Sequence, residues 1–176
     1  IRLSLVGSEM CIRDRLDSVS SVVTALASGQ VDVAGGAPSA AIYNAARQGI
    51  GIKIVADKGS MPAGAGYLDI VVRDAVADQI KTPADLKGRT IALPGTGVGT
   101  TNEIAFSEML KGLGMKESDF NLQNLSFGDS MAALASGSVD AAYLIEPLVQ
   151  SAKQKGIGSL LVGGDKMYPN QQVAVL

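Results

Sequence analysis

Two near-copies of one octapeptide decide how this chain is read: "ALASGQVD" at residues 25–32 and "ALASGSVD" at residues 133–140, spaced by 108 residues. A second signal follows in phase, "GIGI" at residues 49–52 and "GIGS" at residues 156–159, spaced by 107. In each copy an apolar helical run stops at a glycine, a residue suited to the left-handed cap that ends a helix. A strand should come next, "VDVAGG" in the first copy and "VDAAYLI" in the second. A loop and a second helix lead to the Gly-Ile-Gly stop, followed by the strands "IKIVAD" and "LLVGG". The pattern predicts two structurally equivalent α/β lobes.

Between the copies the same alternation continues. "YLDIVVRDA" is rich in β-branched residues and reads as a strand. Thr82-Pro83 opens a short helix that stops at Gly88, and "RTIAL" follows as a strand. "TTNEIAFSEMLKGLG" is an amphipathic helix with Ile104, Met109 and Leu110 available to a core and Gly112 or Gly114 closing it. "FNLQNLSF" reads as a strand, "GDSMAALASG" as a helix, and "QQVAVL" at residues 171–176 as a further strand. Strands alternating with helices predict right-handed crossovers and a parallel sheet covered on both faces.

The first fifteen residues stand apart. "SLVGSEMCIRDR" has neither helical nor strand periodicity and holds the single cysteine, Cys11. Glu9 and Met10 ahead of Cys11 are wrong for a lipid-attachment signal. Leu5 to Arg15 instead resembles, residue for residue, the translation of a transposase adapter used in preparing sequencing libraries. Residues 1–15 are therefore expected to be non-native, with the native chain starting near Leu16.

Composition narrows the chemistry. The 176 residues are 47% hydrophobic, enough for a sizeable core, and no run of eighteen apolar residues exists to span a membrane. A net charge of −2 offers no basic footprint for nucleic acid. With no histidine and one cysteine in a non-native stretch, Cys-His and Ser-His-Asp catalysis and most transition-metal sites are excluded. No catalytic residue, metal ligand or cofactor is expected.

Ligands of open α/β sheets bind beyond the carboxyl ends of the strands. The loops there are "GGAPSAA", "DKGSMPAGAG", "PGTGVGTTNE", "FGDSMAA" and "IEPLV". The strongest is "LPGTGVGTTNE", where Gly95, Gly97 and Gly99 allow close approach to the backbone and Thr100 and Thr101 offer hydroxyls and free amides at a helix entrance. It has no lysine before Thr100 as a P-loop requires, and no glycine at position 100 as a dinucleotide fingerprint requires. Pro38 suits a first helical turn, with Ser39 facing a cleft. Asp129 reads as an N-cap, Glu146 as a cap for the helix after it, and Met61 as a packing residue touching an apolar part of a ligand. One helix dipole contributes about 0.3–1 kcal/mol to an anion, whereas micromolar binding needs about 8 kcal/mol. Donors from two lobes must converge.

The run "VTALASGQVDVAGGAPSAA", "GIKIVADKGS", "DLKGRTIALPGTGVGTT", "SFGDSMAALASGSVDAAYLIEPLV" resembles the solute-binding proteins of ABC importers in the nitrate, taurine and aliphatic-sulfonate group, with relatives that bind thiamine precursors. The resemblance covers residues 16–176 and implies an α/β, type II periplasmic-binding-protein fold, two lobes with crossover strands, truncated at both ends. By that mapping residues 16–72 form lobe I, 73–168 lobe II, and 169–176 the start of the return crossing. It implies ligand contacts at Ala37, Pro38, Ser39, Ser60, Met61, Gly97, Val98, Gly99, Thr100, Thr101, Asp129 and Glu146. A small oxyanion would use the helix starts, whereas a pyrimidine would bring an amino group to Glu146.

The implied function is a monomeric, non-catalytic substrate-binding component that delivers a small anionic solute to an ABC permease, with no nucleic-acid partner. The implied location is the periplasm, or the cell exterior as a lipid-anchored protein. Two other proteins of this fold compete with it. A thiamine-pyrimidine-synthase-like enzyme consumes a histidine, which this chain lacks. The effector-sensing domain of a LysR-type regulator needs a DNA-binding helix pair upstream.

Overall fold

The computed structural model describes residues 3–4, 10–11, 19–96 and 99–176. A short antiparallel pair, β1 (Leu3–Ser4) and β2 (Met10–Cys11), precedes the main body. Helices α1 (Val19–Ala27) and α2 (Ala40–Arg47) come next, then strands β3 (Asp57–Ser60), β4 (Leu68–Arg73) and β5 (Thr90–Ala92). Helix α3 (Thr101–Leu113), β6 (Asn121–Gln123), α4 (Phe127–Ser136), β7 (Ala141–Ile145) and α5 (Leu148–Gln154) follow. β8 (Gly158–Val162), α6 (Gly164–Met167) and β9 (Gln172–Val175) complete the order.

The expected stops are where the sequence puts them. Gly114 after α3 and Gly137 after α4 are left-handed, with φ of 67° and 80°, and each donates its N–H to carbonyls of the last turn. Gly29, the counterpart of Gly137 in the first octapeptide, is also left-handed at φ 71°. The Thr82-Pro83 start gives a single 3-10 turn, Pro83–Leu86, closed by a reciprocal cap between Thr82 and Asp85.

Five strands form one sheet in the order β6-β5-β7-β4-β8. β5 runs parallel to β6 and β7, but β4 is antiparallel to both of its neighbours, β7 and β8. The sheet is therefore mixed, and the all-parallel expectation is corrected. β4 does not enter through a helical crossover. It comes straight from β3 through residues 61–67, so it starts at the edge where β5, β6 and β7 end. Leu68–Arg73 bonds on both sides within this sheet, so the lobe boundary drawn at residue 72 falls inside a strand of the second lobe. The passage between lobes is instead the antiparallel pair β3–β9.

Burial on both faces explains the unbroken apolar runs of the central strands. Ile70, Val72, Ile91 and Tyr143 pack beneath α3 with Phe106, Leu110 and Phe120. Val71, Ala92, Ala142 and Leu144 pack on the other face with Leu134, Val149 and Ala152 of α4 and α5.

In the first lobe α1 packs against α2, but the two expected strands are not formed. Residues 31–36 make one isolated bridge, Gly36 to Val175, and residues 52–56 only meet Leu176 through Val55 and Ala56. Strand structure needs a hydrogen-bonded ladder, and among the described residues these few bonds to Val175 and Leu176 do not make one. Val33 (68% exposed), Ile54 (50%) and Val55 (71%) consequently stand open around a hollow of about 470 Å³.

Asp69 lies at the start of β4, 5% exposed, accepting the Gly164 N–H at 2.9 Å. Burial holds its carboxyl above the ordinary range; the Gly164 N–H pulls it down, and the charges of Glu146 and Asp165 push it further up. A carboxyl raised on folding contributes most stability at low pH and loses it as pH rises through its folded value. Asp69→Asn should therefore raise the melting temperature at pH 7.5, and the gain should shrink at pH 3.5, where both states bind the proton. An equal difference at the two pH values would refute the assignment.

Candidate functional site

A cleft of about 760 Å³ lies between the two lobes. Its position follows from strand direction. The carboxyl ends of β5, β6 and β7 and the start of β4 form one edge, and the ribbon β3–β9 with the start of α2 faces them. The second lobe contributes Pro94, Gly95, Thr100, Thr101, Asn102, Asn124, Ser126 and Phe127, with Tyr67, Leu68 and Ile145. The first contributes Ala37, Ser39 and Ala41, while Lys58, Val173 and Ala174 come from the ribbon.

The lobes touch directly where the start of α2 meets the loop before α3. Ala40 N–H donates to the Gly99 carbonyl at 3.2 Å, joining the start of α2 to the loop before α3. Gly99 is left-handed at φ 67°, and a Cβ there would stand 2.9 Å from the Ala40 Cβ, so both the turn and the contact require glycine. Behind it the buried Gln171 donates from Nε2 to the Thr101 carbonyl at 2.9 Å, fastening the return strand to the first residue of α3.

The loop before α3 is largely self-satisfied. Thr96 Oγ1 donates to the Leu93 carbonyl at 2.7 Å, Asn102 Nδ2 to the Pro94 carbonyl at 2.9 Å, and Gly95 N–H to Asn124 Oδ1 at 2.9 Å. Thr100 is the N-cap of α3, accepting the Glu103 N–H at 3.4 Å and donating to the Gly95 carbonyl at 3.3 Å. The Gly99 N–H is taken by Glu103 Oε2 at 2.7 Å. α4 is also capped from within: Ser126 Oγ accepts the Asp129 N–H at 3.1 Å and donates to Asp129 Oδ2 at 2.7 Å.

Of the expected contact residues, Ala37, Ser39, Thr100 and Thr101 line this cleft together. Gly99 stands at its edge through its bond to Ala40. Gly97 and Val98 lie outside the described residues. Pro38 precedes the N-cap Ser39 and is not in the first helical turn. Asp129 is not the N-cap; Ser126 is, and Asp129 serves that cap from the third helical position. Met61 is fully buried in the second lobe's core, its N–H donating to the Gln171 carbonyl, so it packs and does not touch the cleft. Glu146 accepts the Gln150 N–H at 3.4 Å at the start of α5, as a capping role requires, and does not line the cleft.

Ser60 gives way to Lys58. The β3–β9 ladder slips between Asp57 and Gly59 and again between Gly59 and Ser60, so simple alternation no longer tells which residues share a face. Lys58 is the cleft-lining residue, and it is also the one lysine or arginine in the five strand-end loops. That signal was available in the sequence. Phe127 opens the strand-end loop "FGDSMAA" and was within reach of the same reading; Tyr67 was not, because only strand direction brings the start of β4 beside the end of β7.

Two α/β lobes joined by a strand ribbon around a shared cleft define the architecture of a periplasmic binding protein. Residues 15–161 match the family described as NMT1/THI5 like, and the chain belongs to that family. It is 30% identical over 142 residues to the taurine-binding periplasmic protein of Escherichia coli, covering 81% of this chain and 41% of that protein. The periplasmic aliphatic sulphonate binding protein SsuA of Escherichia coli matches with a TM-score of 0.69 at 24% identity, covering 89% of this chain and 50% of that one. The alkanesulfonate-binding protein SsuA of Xanthomonas axonopodis pv. citri, bound to MOPS, matches with a TM-score of 0.65 at 24% identity, over 89% and 51%. At that identity the two structures show the fold. The chain spans about two-fifths of the curated relative and half of each solved structure.

Proposed function

We propose that this chain belongs to the substrate-binding component of an ABC importer, holding a small anionic solute between its lobes without chemical change. One observation carries the reading: residues of both lobes line one cleft, Lys58 is the only charged residue lining it among the described residues, and the starts of α2, α3 and α4 open onto it. Helix starts and a cation favour negative charge, and a cleft shared by two lobes excludes water when they close. The family relationship supports delivery to a membrane permease. A cleft lined by both lobes of one chain suits a monomer. Among the described residues no helix is long and apolar enough to cross a membrane, and the periplasmic relative supports a location outside the cytoplasmic membrane, either in the periplasm or, as a lipid-anchored protein, at the cell exterior.

The enzyme and regulator alternatives have no such support, since the named relatives are binding proteins. The test is a thermal-shift series on the full-length protein with alkanesulfonates, taurine, nitrate, bicarbonate and an aminopyrimidine. A bound solute at a hundred times its Kd stabilises by about 2.7 kcal/mol, so at least one anion should raise Tm by several degrees. A shift with the aminopyrimidine and none with any anion would overturn the proposal.

A further inference from the structure

The ribbon that joins the lobes is not a regular ladder. Asp57 stands opposite Val175, Gly59 opposite Ala174 and Ser60 opposite Gln172, so the pairing skips Lys58 on β3 and then Val173 on β9. Each skip is a bulge, one extra residue on one strand. Because the two fall on opposite strands they cancel, and the register beyond them is restored. A regular ladder over the same residues would set Lys58 opposite Ala174 and Gly59 opposite Val173, and alternation would turn Val173 away from the other two. Here Lys58, Val173 and Ala174 all line the cleft. The double bulge builds this wall.

A bulge disrupts its ladder locally, and the backbone groups it displaces must find other partners. Gln172 supplies them. Its Nε2 donates to the Gly59 carbonyl at 2.8 Å and to the Ala174 carbonyl at 2.6 Å, the two members of the pair left between the skips. It also donates to Asp57 Oδ1 at 2.7 Å, on the other side of Lys58. Both amide hydrogens are thus committed, and the acceptors at 57 and 59 bracket Lys58. From that bracket Lys58 reaches over the first lobe, its Nζ 3.0 Å and its Cδ 3.4 Å from where a Cβ of Gly35 would stand. Gln172 itself does not line the cleft.

We infer that Gln172 is a positioning residue for solute binding: its amide pins the double bulge that directs Lys58 and Val173 into the cleft, and it acts on the solute only through them. The inference rests on the binding-protein reading above and adds to it a residue outside the cleft on which affinity depends.

A double-mutant cycle on the full-length protein tests it, with ethanesulfonate, taurine, nitrate and bicarbonate as calorimetric probes. Lys58→Met should weaken the tightest of the four about tenfold. Gln172→Met, similar in size but without donors, should weaken it about fivefold. The double variant should be no more than about tenfold weaker than the parent, because a lysine already out of place has little left to lose. Independent losses would multiply to about fiftyfold, and that result would overturn the inference while leaving an anion-binding protein. Hydrogen exchange on the solute-free proteins reads the bracket itself. Gln172→Met should speed amide exchange about tenfold across residues 57–60 and 172–175 and leave β4 and β7 protected; unchanged exchange in the ribbon would overturn the inference too. If Gln172→Met folds poorly, Gln172→Thr, a strand former with too short a side chain to span the acceptors, should give both results. Silence of the parent with all four probes would strike the anion-binding reading and this inference together.

Discussion

Replacing Gly164 with alanine is expected to destabilise this protein by about 3 kcal/mol or more. A Cβ at Gly164 would overlap the Leu68 carbonyl oxygen and stand 2.7 Å from Met61 Sδ. Neither obstacle can step aside. Leu68 is held in register by β7, and Met61 is fully enclosed in the core. The Gly164 N–H also carries the bond to the buried Asp69, so any retreat of the backbone would leave that carboxyl without its donor. The urea midpoint should fall by about 1–2 M at the slope usual for small proteins. Gly51→Ala is the control, since an added methyl there meets open space at a φ that is not left-handed; its midpoint should stay within about 0.3 M of the parent. A Gly164→Ala midpoint that also stayed there would mean that the α6 start and β4 do not approach as described.

Phe106→Ala should cost about 3–5 kcal/mol. Phe106 is completely buried under the sheet and meets Phe120 edge to face, with ring centroids 5.5 Å apart and planes at 71°. Truncation removes its transfer free energy, opens a void, and forfeits a ring pair worth about 0.5–1.5 kcal/mol beyond its area. Denaturant titration reads the loss directly, and a value under about 1 kcal/mol would show that α3 does not seat Phe106 in the core. The consequence reaches the cleft because α3 presents Thr100 and Thr101 at its first turn.

Much of this architecture was legible from local chemistry. The Gly-terminated helices α3 and α4, the strand runs of β4, β5 and β7, and the Thr100 cap all follow from residues within a few positions of one another. The octapeptide repeat pointed to helix–glycine–strand units, and in the second copy that unit is complete, with α4, Gly137 and β7. In the first copy the helix and the left-handed glycine are present but the strand is not, because a strand exists only in the company of another.

The site was half legible for the same reason. Ser39 and Thr100 could be placed at the cleft from sequence because helix starts carry a local signature of cap and small residues. Met61 is the packing residue the sequence suggested, but its added ligand contact is not seen, because burial in the core and exposure to a cleft look alike in an apolar residue beside a Ser-Gly turn. Whether a helix start can be closed by its own carboxylate is legible from its first turn, which holds Glu103 in α3 and Asp129 in α4 and no acidic residue in α2; that the two carboxylates do close their turns is seen only in the structure.

The sequence by itself determined where helices begin and stop and which strands are buried on both faces, since dihedral preference and apolar periodicity act over a few residues. Only the tertiary structure decided the reversed direction of β4, the placing of Lys58 and Tyr67 in one cleft, and the burial of Ser39 at its wall. Each of these depends on segments far apart in the chain meeting in space, and no local pattern encodes which distant neighbour a segment will find.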